Sequence, residues 1–322
     1  MILEIDEPSD MHTYLINLGG HMDDQGLLHF PSTMGTGYMR LINPFPGIAL
    51  LVQSFELNEE LLIKRLKGRA EDKVLIFSFR NVSPLQAELT SAKDTLHVKT
   101  WPSVQVSTSD MALDIHVPAF YPVTNLIIGV EIDYLKKILE ANAKHEFMEL
   151  LLGNGQAYLY EELISPNIQA VATAIFQLDA KYSLAHFFYK LKAEELIYLF
   201  LSELLKREQL TFYPLNKEDI KQIYRVRDAL VLQVDTPPAL EQLAKDAGMS
   251  VSKLGRLFRQ VFGESVYHYY QKIRMQQAAY LLREQHLSVA EVGYQLGFTN
   301  LSHFSRLFEK HIGVKPKKYS KG

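Results

Sequence analysis

The chain has no cysteine among its 322 residues. That removes a disulfide scaffold, a thiolate metal site and a cysteine nucleophile, and it fits a reducing compartment. No window approaches the ~18 uninterrupted apolar residues of a membrane span, so no membrane partner is expected. The opening MILEIDEPSD is acidic and lacks a basic segment followed by an apolar one, so a cytoplasmic protein without a signal peptide is expected. Catalytic signatures are missing too. There is no G-x-S-x-G, H-E-x-x-H or P-loop pattern, and Gly19-Gly20 and Gly153-Asn154-Gly155 are too short to cradle phosphates. We therefore expect no catalytic residue, no cofactor and no metal. His21 with Asp23 and Asp24 reads as a turn. His116 lies on the polar side of a strand without a spaced second histidine, which argues against a cupin-type metal site.

Hydrophobic residues make up 47% of the chain and charged residues 22%, enough to bury sizeable cores in about two or three domains. The net charge of −3 is unevenly shared. From Gln222 to Gly322 there are 15 Lys and Arg against 8 Asp and Glu, leaving 19 against 29 elsewhere. A basic nucleic-acid module joined to an acidic partner domain would give this division.

Residues 36–130 read mostly as strands. Met111, Leu113, Ile115 and Val117 alternate with polar neighbours, the period of a half-buried strand, and Ser107 to Asp110 supplies a hairpin-like turn before it. Apolar runs at Ile48–Val52, Val74–Phe79 and Leu126–Val130 suggest further strands, separated by Pro44, Pro46 and Pro84, and together a sandwich or barrel. From Glu131 the period becomes helical, in EIDYLKKILEA and KHEFMELLL. Ser165-Pro166 forms a helix start. A longer helix spans about 184–207, with a wide apolar stripe (Leu184, Phe187, Phe188, Leu191, Ile197, Tyr198, Leu201, Leu204, Leu205) that suits a core, a dimer seam, or both.

The basic segment repeats itself. LGRLFRQVFG, from Leu254, aligns with FSRLFEKHIG, from Phe304, at an offset of 50, and Tyr269 falls on Tyr319; LEQLAKDAG aligns with VAEVGYQLG at 49. Each copy has the grammar of a helix-turn-helix. A small residue (Ala244, Gly293) allows close helix approach, a turn glycine follows (Gly248, Gly297), and a capping residue (Ser250, Asn300) opens the second helix. Ser288 and Glu291 form a capping-box pattern. In the first unit Leu254, Leu257, Phe258 and Val261 share one face. Ser252, Arg256 and Arg259 point the other way, with Gly255 on the flank. In the second, Phe304, Leu307, Phe308 and His311 or Ile312 lie inward, while Ser302, Arg306 and Glu309 lie outward beside Ser305. A recognition helix needs this division between an anchored apolar face and donors that reach base edges. The helix expected between the units, 265–284, would be ~30 Å long at ~1.5 Å per residue, of the order of one DNA turn. Lys253, Lys272, Arg274, Arg283, Lys310, Lys315, Lys317 and Lys318 are candidates for phosphate contacts.

Residues 222–322, above all RMQQAAYLLREQHLSVAEVGYQLGFTNLSHFSRLFEKHIGVKPKKY, resemble the DNA-binding domain of the AraC/XylS family of bacterial transcription regulators. The resemblance implies reading positions at Val251, Ser252, Gly255 and Arg256 in the first helix and at Leu301, Ser302, Ser305 and Arg306 in the second. Gly255 departs from the pattern because it has no side chain to present, and Leu301 offers only apolar contact. Ser320 stands where the family usually has arginine. The front of the chain resembles the family's plan, its siderophore-responsive members in particular, only loosely. The fold expected is mixed: a β-rich, barrel- or cupin-like effector domain (1–130), a helical linker and dimerisation segment (131–215), and an all-α domain of two helix-turn-helix units (220–322). The function expected is a sequence-specific transcription regulator, not an enzyme, partnered by double-stranded DNA, a second copy of itself and, by resemblance, RNA polymerase. For the front domain two alternatives stand: a sensor with an apolar cavity for a small-molecule effector, or a protein-interaction module without a ligand.

Overall fold

The computed structural model describes residues 1–5, 8–66, 74–82, 102–109, 111–139, 159–179, 181–206, 215–283 and 285–320. The expected helix KHEFMELLL with its glycine stop, the turn residue Asp110 and the breaks at Pro84 and Pro214 lie outside them. The chain divides into two compact units, one ending at Lys217 and the other running on from Glu218.

The first unit contains β1 (Ile2–Ile5), α1 (Pro8–Asn17), β2 (His21–Met22), β3 (Leu28–His29), β4 (Gly35–Phe45), β5 (Ile48–Leu57), β6 (Leu61–Arg65), β7 (Val74–Arg80), β8 (Ser103–Thr108), β9 (Leu113–Val117), β10 (Val123–Glu131), α2 (Ile132–Ile138), β11 (Leu159–Leu163), α3 (Pro166–Gln177) and α4 (Ala185–Leu204). Eight strands form one sheet in the order β11-β8-β7-β10-β5-β4-β3-β2, and β1-β6-β9 form a second. Among the described residues all ladders are antiparallel except β1 with β6.

The apolar run of β5 is explained by burial on both faces. Ile48, Leu50 and Val52 join a core with Phe77, Phe79, Leu126 and Ile128 that also contains Ala172 and Ile175 of α3 and Leu196 and Phe200 of α4. Leu51, Phe55 and Leu57 join the opposite core, with Leu3, Ile5, Leu61 and Ile63 of the small sheet. A strand covered on both sides loses the alternation of a half-buried one. Arg40 of β4 reaches the helical layer, donating to the Tyr189 hydroxyl at 2.8 Å.

Three expectations change here. Of the sandwich and the barrel, the observed pairing gives layered sheets: among the described residues the eight-stranded sheet ends at β11 and β2 and does not close. β8 and β9 are not a hairpin, because β8 pairs with β7 and β11 while β9 pairs with β6 in the other sheet. The segment 131–215 contains a strand, β11, and its helices share the sheet's core. Ser165 does open α3, its hydroxyl accepting the Ile168 amide. The stripe on α4 is split between two faces. Ile197, Leu201 and Leu204 are buried, whereas Leu184, Phe187, Leu191 and Tyr198 are exposed, Tyr198 by 67%.

The second unit is helical: α5 (Lys217–Leu232), α6 (Leu240–Asp246), α7 (Val251–Phe262), α8 (Val266–Arg283), α9 (Val289–Gln295), α10 (Leu301–Ile312) and α11 (Pro316–Tyr319). The repeat seen in the sequence is also a repeat of packing. Phe258 meets Tyr269 edge-on at 5.4 Å, and Phe308 meets Tyr319 edge-on at 5.6 Å, at the same offset of 50 residues. α8 has 18 residues, which at ~1.5 Å each is about 27 Å.

Candidate nucleic-acid interface

Each helix-turn-helix is built by the same local physics. Ser250 accepts the Lys253 amide at the start of α7, and Asn300 accepts the His303 amide at the start of α10, so both second helices begin at a side-chain cap. Ser288 and Glu291 form a reciprocal capping box on α9. The hydrogen bond to Ser288 holds the Glu291 carboxyl below its ordinary pKa. Gly248 and Gly297 carry the turns at φ +63° and +75°. Close approach is real at Gly293, where a β-carbon would lie 2.5 Å from Leu301 Cδ2.

The apolar face of α7 is fully anchored, with Leu254, Leu257, Phe258 and Val261 buried. In α10 only Phe304 and Phe308 are buried. Leu307, His311 and Ile312 are half-buried, and burial lowers the His311 pKa. Opposite these faces, Ser252, Arg256 and Arg259 are exposed on α7 with Gly255 half-buried between them. On α10, Ser302 and Arg306 are exposed and Leu301 and Ser305 are half-exposed. Leu301, Ser302, Ser305 and Arg306 line a shallow concavity of about 400 Å³ together with Glu309 and Lys315.

Inside the helical unit the two helix-turn-helix motifs are fixed to one another through the middle of α8. Arg274 is buried, donates Nε to the Leu296 carbonyl at 2.9 Å and a second nitrogen to the same oxygen, and lies 3.7 Å from the centre of the Phe298 ring. Burial lowers its pKa, opposed chiefly by Tyr270. The Tyr270 hydroxyl donates to the Val234 carbonyl at 3.0 Å, tying down the segment between α5 and α6.

A family described as a helix-turn-helix domain matches residues 243–322. The Arabinose operon regulatory protein of Salmonella typhimurium is 34% identical over 102 residues, 30% of this chain and 36% of that protein. An HTH-type transcriptional regulator of Haemophilus influenzae is 32% identical over 100 residues, covering 30% of this chain and 34% of the relative. The C-terminal domain of AraT, a response regulator from Geobacillus stearothermophilus, is 31% identical over 31% of this chain and 84% of that one, with a TM-score of 0.30. Residues 243–322 are a helix-turn-helix domain. The match spans about a third of the length of the curated relatives.

Within this domain the expected base-reading residues fall into two groups, one per second helix; Ser252, Arg256, Arg259, Ser302 and Arg306 are exposed on the outward stripes, Gly255 and Ser305 flank them, and Leu301 packs against Gly293 at the helix start. The expected phosphate contacts divide differently. Lys310, Lys315, Lys317 and Lys318 are exposed. Lys253 is held by Asp219 at 2.7 Å and Lys272 by Glu264 at 3.2 Å, partly exposed pairs of the weak kind that a phosphate can displace. Arg274 requires correction: its guanidinium serves the domain's interior and does not face outward. Periodicity cannot identify an inward arginine on a helix packed on most sides, since α8 buries polar and apolar residues alike.

The histidines match the turn reading. Asp23 accepts the amides of Gln25 and Leu27 in the β2–β3 turn, and His29 meets its other oxygen at 2.8 Å. No group of three or more His, Asp or Glu among the described residues could hold a metal ion. No helix there is long and apolar enough to cross a membrane.

Proposed function

We propose that this chain is a sequence-specific DNA-binding transcription regulator in which α7 and α10 enter major grooves. The observation that carries this reading is the pair of capped, internally anchored helices, each with an outward serine and arginine at equivalent positions (Ser252 and Arg256; Ser302 and Arg306). Ser252, Gly255, Arg256, Arg259, Leu301, Ser302, Ser305 and Arg306 face base edges, and Lys310, Lys315 and Lys317 neutralise phosphates. Hydroxyl-radical footprinting on a bound duplex tests it: two protected stretches about one helical turn apart on one face support the reading, and a single stretch defeats it.

The exposed row Leu184, Phe187, Leu191 and Tyr198 on α4 supports a homodimer, since apolar side chains at this spacing on one helix face suit a second helix. Leu191→Glu should convert the dimer to monomer in sedimentation; an unchanged mass would remove this seam. For the first unit we favour small-molecule control. Gln53, Asn125, Ser78, Gln105 and Glu161 fall on one sheet face by register, where Asn125 donates to Gln53 at 3.4 Å and Arg80 pairs with Glu161 at 2.5 Å; an effector entering this face would exchange such bonds, so a polar one suits it better than an apolar one. The second reading, an interaction module without ligand, is favoured by the filling of both sheet faces with the chain's own side chains. A melting shift on adding polar metabolite fractions supports the sensor, and partner capture without any shift supports the module.

A further inference from the structure

The two reading helices are not electrostatic equals. At the shared offset of 50, Ser252 matches Ser302, Gly255 matches Ser305 and Arg256 matches Arg306, but Arg259 is replaced by Glu309. On α10 the residues Ser302, Ser305, Arg306 and Glu309 stand at i, i+3, i+4 and i+7, so they form one stripe, and all four line the same concavity. Glu309 is exposed, and among the described residues it enters no ion pair. Resting on the reading that α10 enters a major groove, we infer that Glu309 is a specificity residue, selecting cytosine at the base pair beside the one faced by Arg306.

A carboxylate accepts hydrogen bonds and donates none. In the major groove guanine offers N7 and O6 and thymine offers O4, all acceptors, which repel it. Cytosine offers the N4 amino group alone, while adenine pairs its N6 donor with the N7 acceptor. Glu309 follows Arg306 by three residues, ~4.5 Å along the helix axis, slightly more than the ~3.4 Å between base pairs, so the two side chains address neighbouring pairs. The substitution also has a cost that the first unit does not carry. A negative charge in the groove reduces attraction to the phosphates, so α7 supplies more of the sequence-independent affinity and α10 more of the discrimination.

The test is selection from a random duplex library by the full-length wild type, Glu309→Gln and Glu309→Arg, with the salt dependence of affinity measured on one selected duplex. Glu309 is exposed, so both variants should fold, which far-UV circular dichroism checks. Wild type should enrich cytosine at one position of the second segment by about tenfold or more. Glu309→Gln should move the preference to adenine, which a carboxamide matches with both its donor and its acceptor. Glu309→Arg should move it to guanine and steepen the salt dependence. A two-part motif that Glu309→Gln leaves unchanged overturns this assignment alone. Enrichment of no sequence by the wild type overturns it together with the DNA-binding reading.

Discussion

Gly248 and Gly297 occupy the same turn in the two units, yet their replacement by alanine should cost different amounts. Both have positive φ, +63° and +75°, a conformation that costs an L-residue roughly 1–2 kcal/mol. At Gly248 a β-carbon would meet nothing within 4 Å, so Gly248→Ala should cost only that. At Gly297 it would lie 2.1 Å from the Asp235 carbonyl oxygen and 3.1 Å from its carbon. Those are backbone atoms that cannot rotate aside. Moving them also pulls on Val234, whose carbonyl accepts the Tyr270 hydroxyl. Overpacking of this kind adds roughly 1–3 kcal/mol, so Gly297→Ala should cost about 2–5 kcal/mol in all. Native-state amide exchange on the full chain, read on peptides covering α6–α7 and α9–α10, measures both. Protection of the affected unit should fall about 5- to 30-fold for Gly248→Ala and by about 30-fold or more for Gly297→Ala. Equal losses would refute the claim that the segment before α6 is clamped onto the second turn.

Arg274→Ala should destabilise the second unit by about 2–4 kcal/mol in urea unfolding, because it leaves the Leu296 carbonyl unpaired and removes the cation over Phe298. Arg274→Lys should recover little, since an ammonium cannot reproduce the two-nitrogen fork; full recovery would reduce the residue to a charge. Ser288→Ala should cost about 1 kcal/mol by opening the capping box on α9, and an unchanged unfolding midpoint would deny the cap any role. Asp23 is held down to about 2 by the hydrogen bond from His29 and by the Leu27 amide. Its folded pKa lies below the unfolded value, so the stability it adds is present above about pH 4 and fades as pH falls through about 2. Carbon-detected NMR titration of the carboxyl checks this, and a midpoint near 3.8 would contradict it.

The second unit was legible from sequence because its rules are local. Caps at Ser250, Ser288 and Asn300, turn glycines, and a period that separates Leu254, Leu257 and Phe258 from Arg256 are all set within a few residues. What escaped were facts of tertiary packing. Arg274 reads as one more surface cation until Phe298 and Leu296 are brought to it from more than 20 residues away. The pairing of Lys253 with Asp219 crosses from α7 to α5 and has no sequence signal. Glu309 is visibly outward in the sequence, and the repeat aligns it with Arg259, but its significance depends on the concavity it shares with Arg306. In the first unit strands such as β5 and β10 were visible as apolar runs, whereas their pairing was not. Nothing in Ser107 to Met111 reveals that the chain leaves one sheet for another, and Leu159–Leu163 carries too short a pattern to stand out from the helices around it.

The most direct test of the central claim is selection of bound sites from a random duplex library by the full-length protein, repeated with Arg256→Ala and Arg306→Ala. The account predicts a motif of two segments about one helical turn apart, with each variant losing preference in one segment only, by roughly 1–3 kcal/mol at the affected base. No enrichment by the wild type, or a motif that neither variant alters, would contradict the assignment of α7 and α10 as reading helices.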